Sequence, residues 1–302
     1  MVVRQYGIYM TLVMGYASSD LAFLVADTLL TPLFGDATGR GSHALKIHIL
    51  SPQIAVALSG NYGLAINVVS KFCQKLLDQN PNDLPNLLFS ILRDGYEKLS
   101  DDFKVESEFL LLQTNVAGNR LSKITIQGVE ERTRGYIGDS EEYANLQRLR
   151  QPYTPPKIQF VQQPDGSFEQ SELISSPGEI EFVEVGMAMC SLTTQKKSKT
   201  VGMLNGGGVR ITISKLSGNL EYMQEISVGV DATGKRFGHT YLVSNEFPYG
   251  FGIYTMQEKT GYILLPGHEP SCLEESSETL TDFVKLAKEK YKLKLNGPTW
   301  ST

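Results

Sequence analysis

Apolar residues fill 11–17 and 21–27, and the polar Ser18-Ser19-Asp20 between them predicts a hairpin of two short strands. A Gly-rich polar loop, "FGDATGRGS" (34–42), separates this hairpin from "HALKIHIL" (43–50), a turn at Ser51-Pro52 and the apolar run "IAVAL" (54–58). Two of these four strands are almost continuously hydrophobic, which demands cover on both faces. Helical spacing supplies it next. Leu64, Ile66, Val69, Phe72, Cys73, Leu76 and Leu77 recur at helix intervals over 63–79, and "NPND" stops the run. A second amphipathic helix is predicted over 84–99, with Pro85 where a first turn accepts it.

Strand patterns return at 108–114, 120–127 and 132–137, before a short helix at about 139–149. Residues 150–178 are rich in Pro, Gly and Ser and read as an irregular insertion or a surface hairpin. A helix at 179–195 follows, with strands at 208–215, 219–227, 238–245, 249–256 and 261–266 and a last helix at 276–291. Antiparallel strand runs interrupted by helix pairs indicate an α+β protein. The expected architecture is a four-layer αββα sandwich, two antiparallel sheets flanked by helices. The division expected along the chain is a propeptide or misassigned start at 1–10, one domain over 11–245 and a C-terminal extension over 246–302 ending in a helix.

Composition narrows the function classes. The chain has 302 residues, a net charge of -5 and a single basic cluster, Lys196-Lys197-Ser198-Lys199, which does not suit a nucleic-acid binder. Cys73, Cys190 and Cys272 lack any C-x-x-C spacing, so neither a disulfide framework nor a structural zinc site is expected. His43 and His48 flank Lys46 on an alternating strand and read as strand histidines; no metal and no organic cofactor is implied. No run has the length of a membrane helix. The apolar N-terminal stretch is broken by Gly and Tyr and continues into the next strand without a change of pattern, so it does not read as a signal peptide and a cytoplasmic location is expected. "GVDATGKR" (229–236) carries the G-x-x-x-x-G-K spacing of a phosphate-binding loop. Arg236 stands where a Ser or Thr would meet magnesium, and a strand pattern follows, so hairpin turn residues explain it better.

The informative chemistry lies at the head of the first hairpin. Taken literally, Thr11 is an ordinary strand residue. If the mature chain begins there, its hydroxyl gains a base, because the free α-amine titrates near neutrality and can accept the hydroxyl proton. Such a site also needs a buried lysine to keep the local potential positive, an acid to hold that lysine, and a backbone N–H for the oxyanion. The chain offers these in order: Thr11, Asp27 in "VADT", Lys46 in "ALKIH" and Gly60 in "ALSGNYG".

This series, "TLVMGYASSDLAFLVADT" followed by "LKIHIL" and "AVALSGN", resembles the proteasome β-subunit family with its bacterial HslV and Anbu-type relatives, among the N-terminal nucleophile hydrolases. "GYIGDSEEYA" (135–144) and "NGGGVRITI" (205–213) resemble its later glycine turns. The resemblance implies a threonine-type peptidase in which Thr11 is nucleophile and, through its amine, base. Lys46 tunes the site, Asp27 orients Lys46, and Gly60 forms the oxyanion hole. It places the accessory serine at Asp139 or Ser140, and the specificity pocket at Leu30, Leu58 and Tyr62. It further implies a peptide or protein substrate, assembly of identical subunits into a ring or spiral, and an ATPase partner. A second accessory acid–serine pair has no counterpart in "KTVGML". Two other readings stay open: a catalytically inactive ring subunit that keeps residues 1–10, and a hydrolase of the same superfamily acting on small amides.

Overall fold

A computed structural model of the chain describes residues 8–9, 11–30, 42–76, 79–100, 104–115, 118–162, 168–172, 175–194, 209–213, 217–230, 236–266 and 272–297. The first elements are β1 (Ile8–Tyr9), β2 (Leu12–Ala17), β3 (Ala22–Ala26), β4 (Leu29–Leu30), β5 (Ser42–His43), β6 (Ile47–Ser51), β7 (Ile54–Asn61), α1 (Tyr62–Leu76) and α2 (Leu84–Tyr96). There follow β8 (Glu108–Asn115), β9 (Gly118–Thr125), β10 (Gly128–Arg132), β11 (Arg134–Gly138), α3 (Ser140–Leu149), β12 (Ile158–Gln162), β13 (Phe168–Glu172) and α4 (Pro177–Thr194). The last are β14 (Val209–Ile213), β15 (Leu220–Tyr222), β16 (Glu225–Val230), β17 (Arg236–Ser244), β18 (Gly250–Thr255), β19 (Thr260–Leu264), β20 (Cys272–Ser276) and α5 (Leu280–Tyr291).

The described residues form a mixed α+β structure with three large antiparallel sheets and five α-helices. In the first sheet β7 pairs with β8, then β9 and β10. The other edge of β7 is shared: β6 runs along Ile54–Ala57, while β1 lies against Gly60 and Asn61. The second sheet has the order β11-β2-β3-β14-β15 and the third the order β16-β17-β18-β19-β20.

Alternation along the strands decides what each face covers. Leu58, Phe109, Leu111 and Ile124 of the first sheet pack with Leu64, Val68, Phe72, Leu88 and Leu92 of α1 and α2. Leu12, Met14, Phe23 and Val25 of the second sheet pack with Leu146 of α3 and with Val185, Met189 and Leu192 of α4. The remaining faces meet in one apolar cluster, where Val13, Leu24 and Ala26 join Ile47, Ala57, Leu110 and Leu121.

That cluster also contains Tyr241, Val243, Phe251, Ile253 and Leu264 of the third sheet. The third sheet's opposite face is covered by Phe283 and Ala287 of α5 together with Leu293 and Leu295. The division drawn at residue 245 therefore falls inside this sheet, in the connection between the paired strands β17 and β18. Burial of one continuous core across residues 13–264 ties the C-terminal strands to the rest of the molecule.

Most predicted elements lie within a few residues of the observed ones. The insertion at 150–178 contains the hairpin β12–β13, and β20 carries too little apolar pattern to be read as a strand. The loop at 34–42 lies almost wholly outside the described residues, as do the lysine cluster at 196–199 and Gly206-Gly207-Gly208. Residues 231–235 of the phosphate-loop look-alike lie outside them too. The flanking β16 and β17 pair as an antiparallel hairpin, with Val230 opposite Arg236. No helix among the described residues is long and apolar enough to cross a membrane.

Candidate active site

The β2–β3 hairpin aligns Val13 with Ala26, which brings Asp27 back beside the start of β2, and the Asp27 N–H donates to Leu12 O at 3.3 Å. The side chain of Asp27 then gathers the site. Its Oδ1 accepts from the Thr11 hydroxyl at 2.6 Å, from the Lys46 ammonium at 2.8 Å and from the Leu12 N–H at 3.1 Å. Its Oδ2 accepts from the Leu29 N–H at 3.1 Å. Lys46 also donates to Leu29 O at 2.5 Å. Thr11 and Lys46 thus share one carboxylate oxygen and lie side by side.

All three groups are buried, with Thr11 and Lys46 at 1% exposure and Asp27 at 0%. Burial pulls the Lys46 ammonium down from the ordinary lysine range, and Asp27 opposes that shift through its charge and its hydrogen bond. The ion pair lies at strand ends rather than mid-sheet. Lys46 immediately precedes β6, where its carbonyl accepts from the Leu58 N–H at 3.0 Å.

Gly60 closes the other side. Its φ is +86°, and a Cβ there would lie 2.0 Å from Glu106 O and 2.8 Å from Ser107 Cα. Only glycine allows that approach. Tyr9 pairs with Gly60 and Ile8 with Asn61, so the segment leading into Thr11 runs along the glycine strand. Behind Thr11, its carbonyl accepts from the Asp139 N–H at 2.7 Å.

Asp139 therefore contributes its backbone, while its carboxylate caps α3 by accepting from the Glu141 and Glu142 N–H groups. Ser140 is exposed on the first turn of that helix. Leu30, Leu58 and Tyr62 are buried in the cluster covered by α1 and α2. The structure brings Thr11, Asp27 and Lys46 into direct contact, sets Gly60 beside the approach to Thr11, and buries Leu30, Leu58 and Tyr62 against the helices.

Several neighbours carry no motif that would reveal them in the sequence. Leu29 bonds to both members of the ion pair through its backbone. Thr28 Oγ1 lies 2.9 Å from His43 Nδ1. Burial, with Lys46 adding to it, holds His43 down at about 4, so it is neutral near pH 7. A cavity of 790 Å³ opens along β9, β10 and β11 and is lined by Glu108, Lys123, Tyr136, Tyr143, Arg150 and Glu181 among others, but Thr11 is not in its wall. No group of three or more His, Cys, Asp or Glu among the described residues is placed to hold a metal.

Searched against protein families and curated proteins, the chain matches no family model and no curated sequence.

His48, two residues beyond Lys46, is 1% exposed, with Nε2 2.8 Å from Leu45 O and no partner for Nδ1. Burial lowers its pKa to about 4 from the ordinary histidine value of 6.5. The unfolded chain therefore binds the proton more readily than the folded one below pH 6.5. Stability is present above that value and is lost as pH falls through the window from 6.5 to 4. Between pH 7 and 4.5 this group alone is expected to remove on the order of 2–3 kcal/mol. Urea unfolding at the two pH values should show a smaller loss for His48→Gln than for the unsubstituted protein; an identical loss would exclude His48 as a source.

Proposed function

We propose that the chain is a threonine-type peptidase of the N-terminal nucleophile class, resembling proteasome β-subunits, with Thr11 as its nucleophile. The reading takes the first two sheets and their four helices as an αββα sandwich. The observation that carries it is the oxygen of Asp27 shared by the Thr11 hydroxyl and the Lys46 ammonium in a site closed to water. An isolated structural ion pair needs no threonine hydroxyl on the same oxygen at the head of a strand.

In this mechanism the chain is cleaved before Thr11. The freed amine takes the hydroxyl proton as Oγ1 attacks the substrate carbonyl. The oxyanion is met by the Gly60 N–H, and Lys46 lowers the cost of charge beside the hydroxyl. Collapse expels the substrate amine, which leaves with the proton, and forms an ester on Thr11. Water then attacks the ester, the α-amine again accepting a proton, and the acid product departs. Assembly into a ring or spiral of identical subunits, a cytoplasmic location and an ATPase partner belong to the same proposal.

One observation favours a second reading. Thr11 is almost completely buried, and Ile8–Tyr9 lies along β7 beside Gly60. A chain that retains this segment has its amine locked in an amide and its nucleophile covered, as in an inactive ring subunit.

Intact mass spectrometry of the natively produced protein, before and after treatment with a threonine-reactive β-lactone, separates the two. A peptidase is expected to begin at Thr11 and to gain one adduct there. A chain that keeps Met1 and gains no adduct is an inactive subunit.

A further inference from the structure

The turn that holds the Thr11 carbonyl is itself held from the other sheet. Asp139 donates to that carbonyl, and the preceding residue, Gly138, donates its N–H to Glu108 Oε2 at 2.9 Å. Glu108 stands opposite Ser59 in the β7–β8 ladder, next to Ser107, whose backbone crowds Gly60. One side chain thus reaches from β8, the neighbour of the glycine strand, to the turn behind the nucleophile.

The other oxygen of Glu108 lies 2.8 Å from Lys123 Nζ, which also donates to Tyr136 O at 3.2 Å and sits over the Tyr136 ring. Lys123 and Glu108 are 23% and 21% exposed and both line the cavity along β9–β11. A structural role for the sheet junction would be served by an uncharged acceptor. An ionised pair placed here does more, because it puts two compensating charges behind a group whose protonation decides the chemistry.

We propose that Glu108 is a positioning residue for Thr11 and that the Glu108–Lys123 pair sets the pH range in which the Thr11 amine acts as a base. This rests on the reading of Thr11 as nucleophile. Other charged groups face the same region: Asp27 after β3, His43 on β5, Lys46 before β6, and Asp139, Glu141 and Glu142 at the start of α3. Glu106 lies beside Gly60. The cavity wall adds Arg132 paired with Glu130, and Arg134 and Arg150 paired with Glu181. Replacing Glu108 or Lys123 alone leaves all of these residues in place, with Lys123 acting among them only on the exposed Glu130, so differences between variants report the pair.

The signs are opposite. Glu108→Gln leaves the Lys123 charge uncompensated, which disfavours the protonated amine and moves the acid limb of activity to lower pH. Lys123→Met leaves the Glu108 charge, which favours the protonated amine and moves that limb to higher pH. Shifts of roughly one pH unit are expected when one of two compensating charges is removed, and the double variant should return towards the unsubstituted limb.

The experiment measures the rate of β-lactone adduct formation on Thr11 between about pH 5 and 9, for the natively produced protein and the three variants produced in the same way, with thermal unfolding as the control for folding. Should Lys123→Met fold poorly, Lys123→Gln carries the same sign. Opposite displacement of the two limbs supports the proposal, since a loosened structure moves both the same way. If the unsubstituted protein labels and the limbs move together or stay put, the pair is structural only and this inference is overturned alone. If the unsubstituted protein does not label at any pH, the reading of Thr11 fails and this inference with it.

Discussion

Lys46→Met is expected to destabilise the fold by about 3–5 kcal/mol and to abolish β-lactone labelling of Thr11. The side chain is 1% exposed and its partner 0%. Removing the ammonium leaves the Asp27 carboxylate in the interior without its cation, facing the Thr11 hydroxyl and the Leu12 and Leu29 N–H donors. Such a charge, stripped of its counter-ion, costs far more than the intact pair contributes. The double variant Asp27→Asn/Lys46→Met separates stability from chemistry. Neutralising both partners is expected to recover most of the stability, because a buried ion pair seldom outperforms neutral groups of similar shape. Labelling should not recover, since neither the positive potential nor its anchor remains. Urea unfolding and adduct formation on the same samples check both halves. A Lys46→Met protein that is within 1 kcal/mol of the parent and still labels would show that the pair neither anchors the site nor tunes it.

The second large effect is expected at Gly138. Its φ is +98°, and a Cβ there would lie 1.9 Å from Thr11 O and 2.7 Å from Thr11 C. Gly138→Ala must therefore push β11 away from the start of β2 or twist the turn, and either movement breaks the Asp139 N–H bond to Thr11. Backbone strain of about 1–3 kcal/mol adds to the clash, so a total loss above about 3 kcal/mol is expected. A displacement near 1 Å at the nucleophile lowers labelling by at least about 100-fold. Gly218→Ala is the control: φ there is +70° and no atom lies within 4 Å of the added Cβ. Its cost is expected near 1 kcal/mol with labelling intact. Equal costs at the two positions would mean that positive φ alone, and not contact with Thr11, explains Gly138.

Parts of the site were legible in the residues because their signals are local. "VADT" ends a strand that must return along "TLVMG" once the Ser18-Ser19-Asp20 turn forms, so Thr11 and Asp27 are neighbours by hairpin register. Lys46 required one further pairing, between β6 and β7, and its burial was not legible in "ALKIH" alone. Asp139 is the N-cap of α3, a position that an Asp before a helix fills by local preference alone. Leu30 and Leu58 sit in strands and Tyr62 at the start of α1, where periodicity does not distinguish a pocket wall from core. Glu108 and Lys123 are ordinary charged strand residues, and their meeting depends on the β8–β9 ladder and on how two sheets stack.

The third sheet shows the same limit at larger scale. Three of its strands were readable, but β16 was merged with β15 into one strand at 219–227 and polar β20 was not seen, and their union into one sheet backing the central core was not legible.

By itself the sequence determined the alternating elements, the hairpins and the candidate threonine, aspartate, lysine and glycine, because propensity and periodicity act between residues close along the chain. Only the tertiary structure decided that the Thr11 hydroxyl and the Lys46 ammonium share one oxygen of Asp27 and that Glu108 reaches the turn behind them. Such contacts arise when separate sheets bury their apolar faces together, and nothing within a single strand encodes which polar group the other sheet will bring.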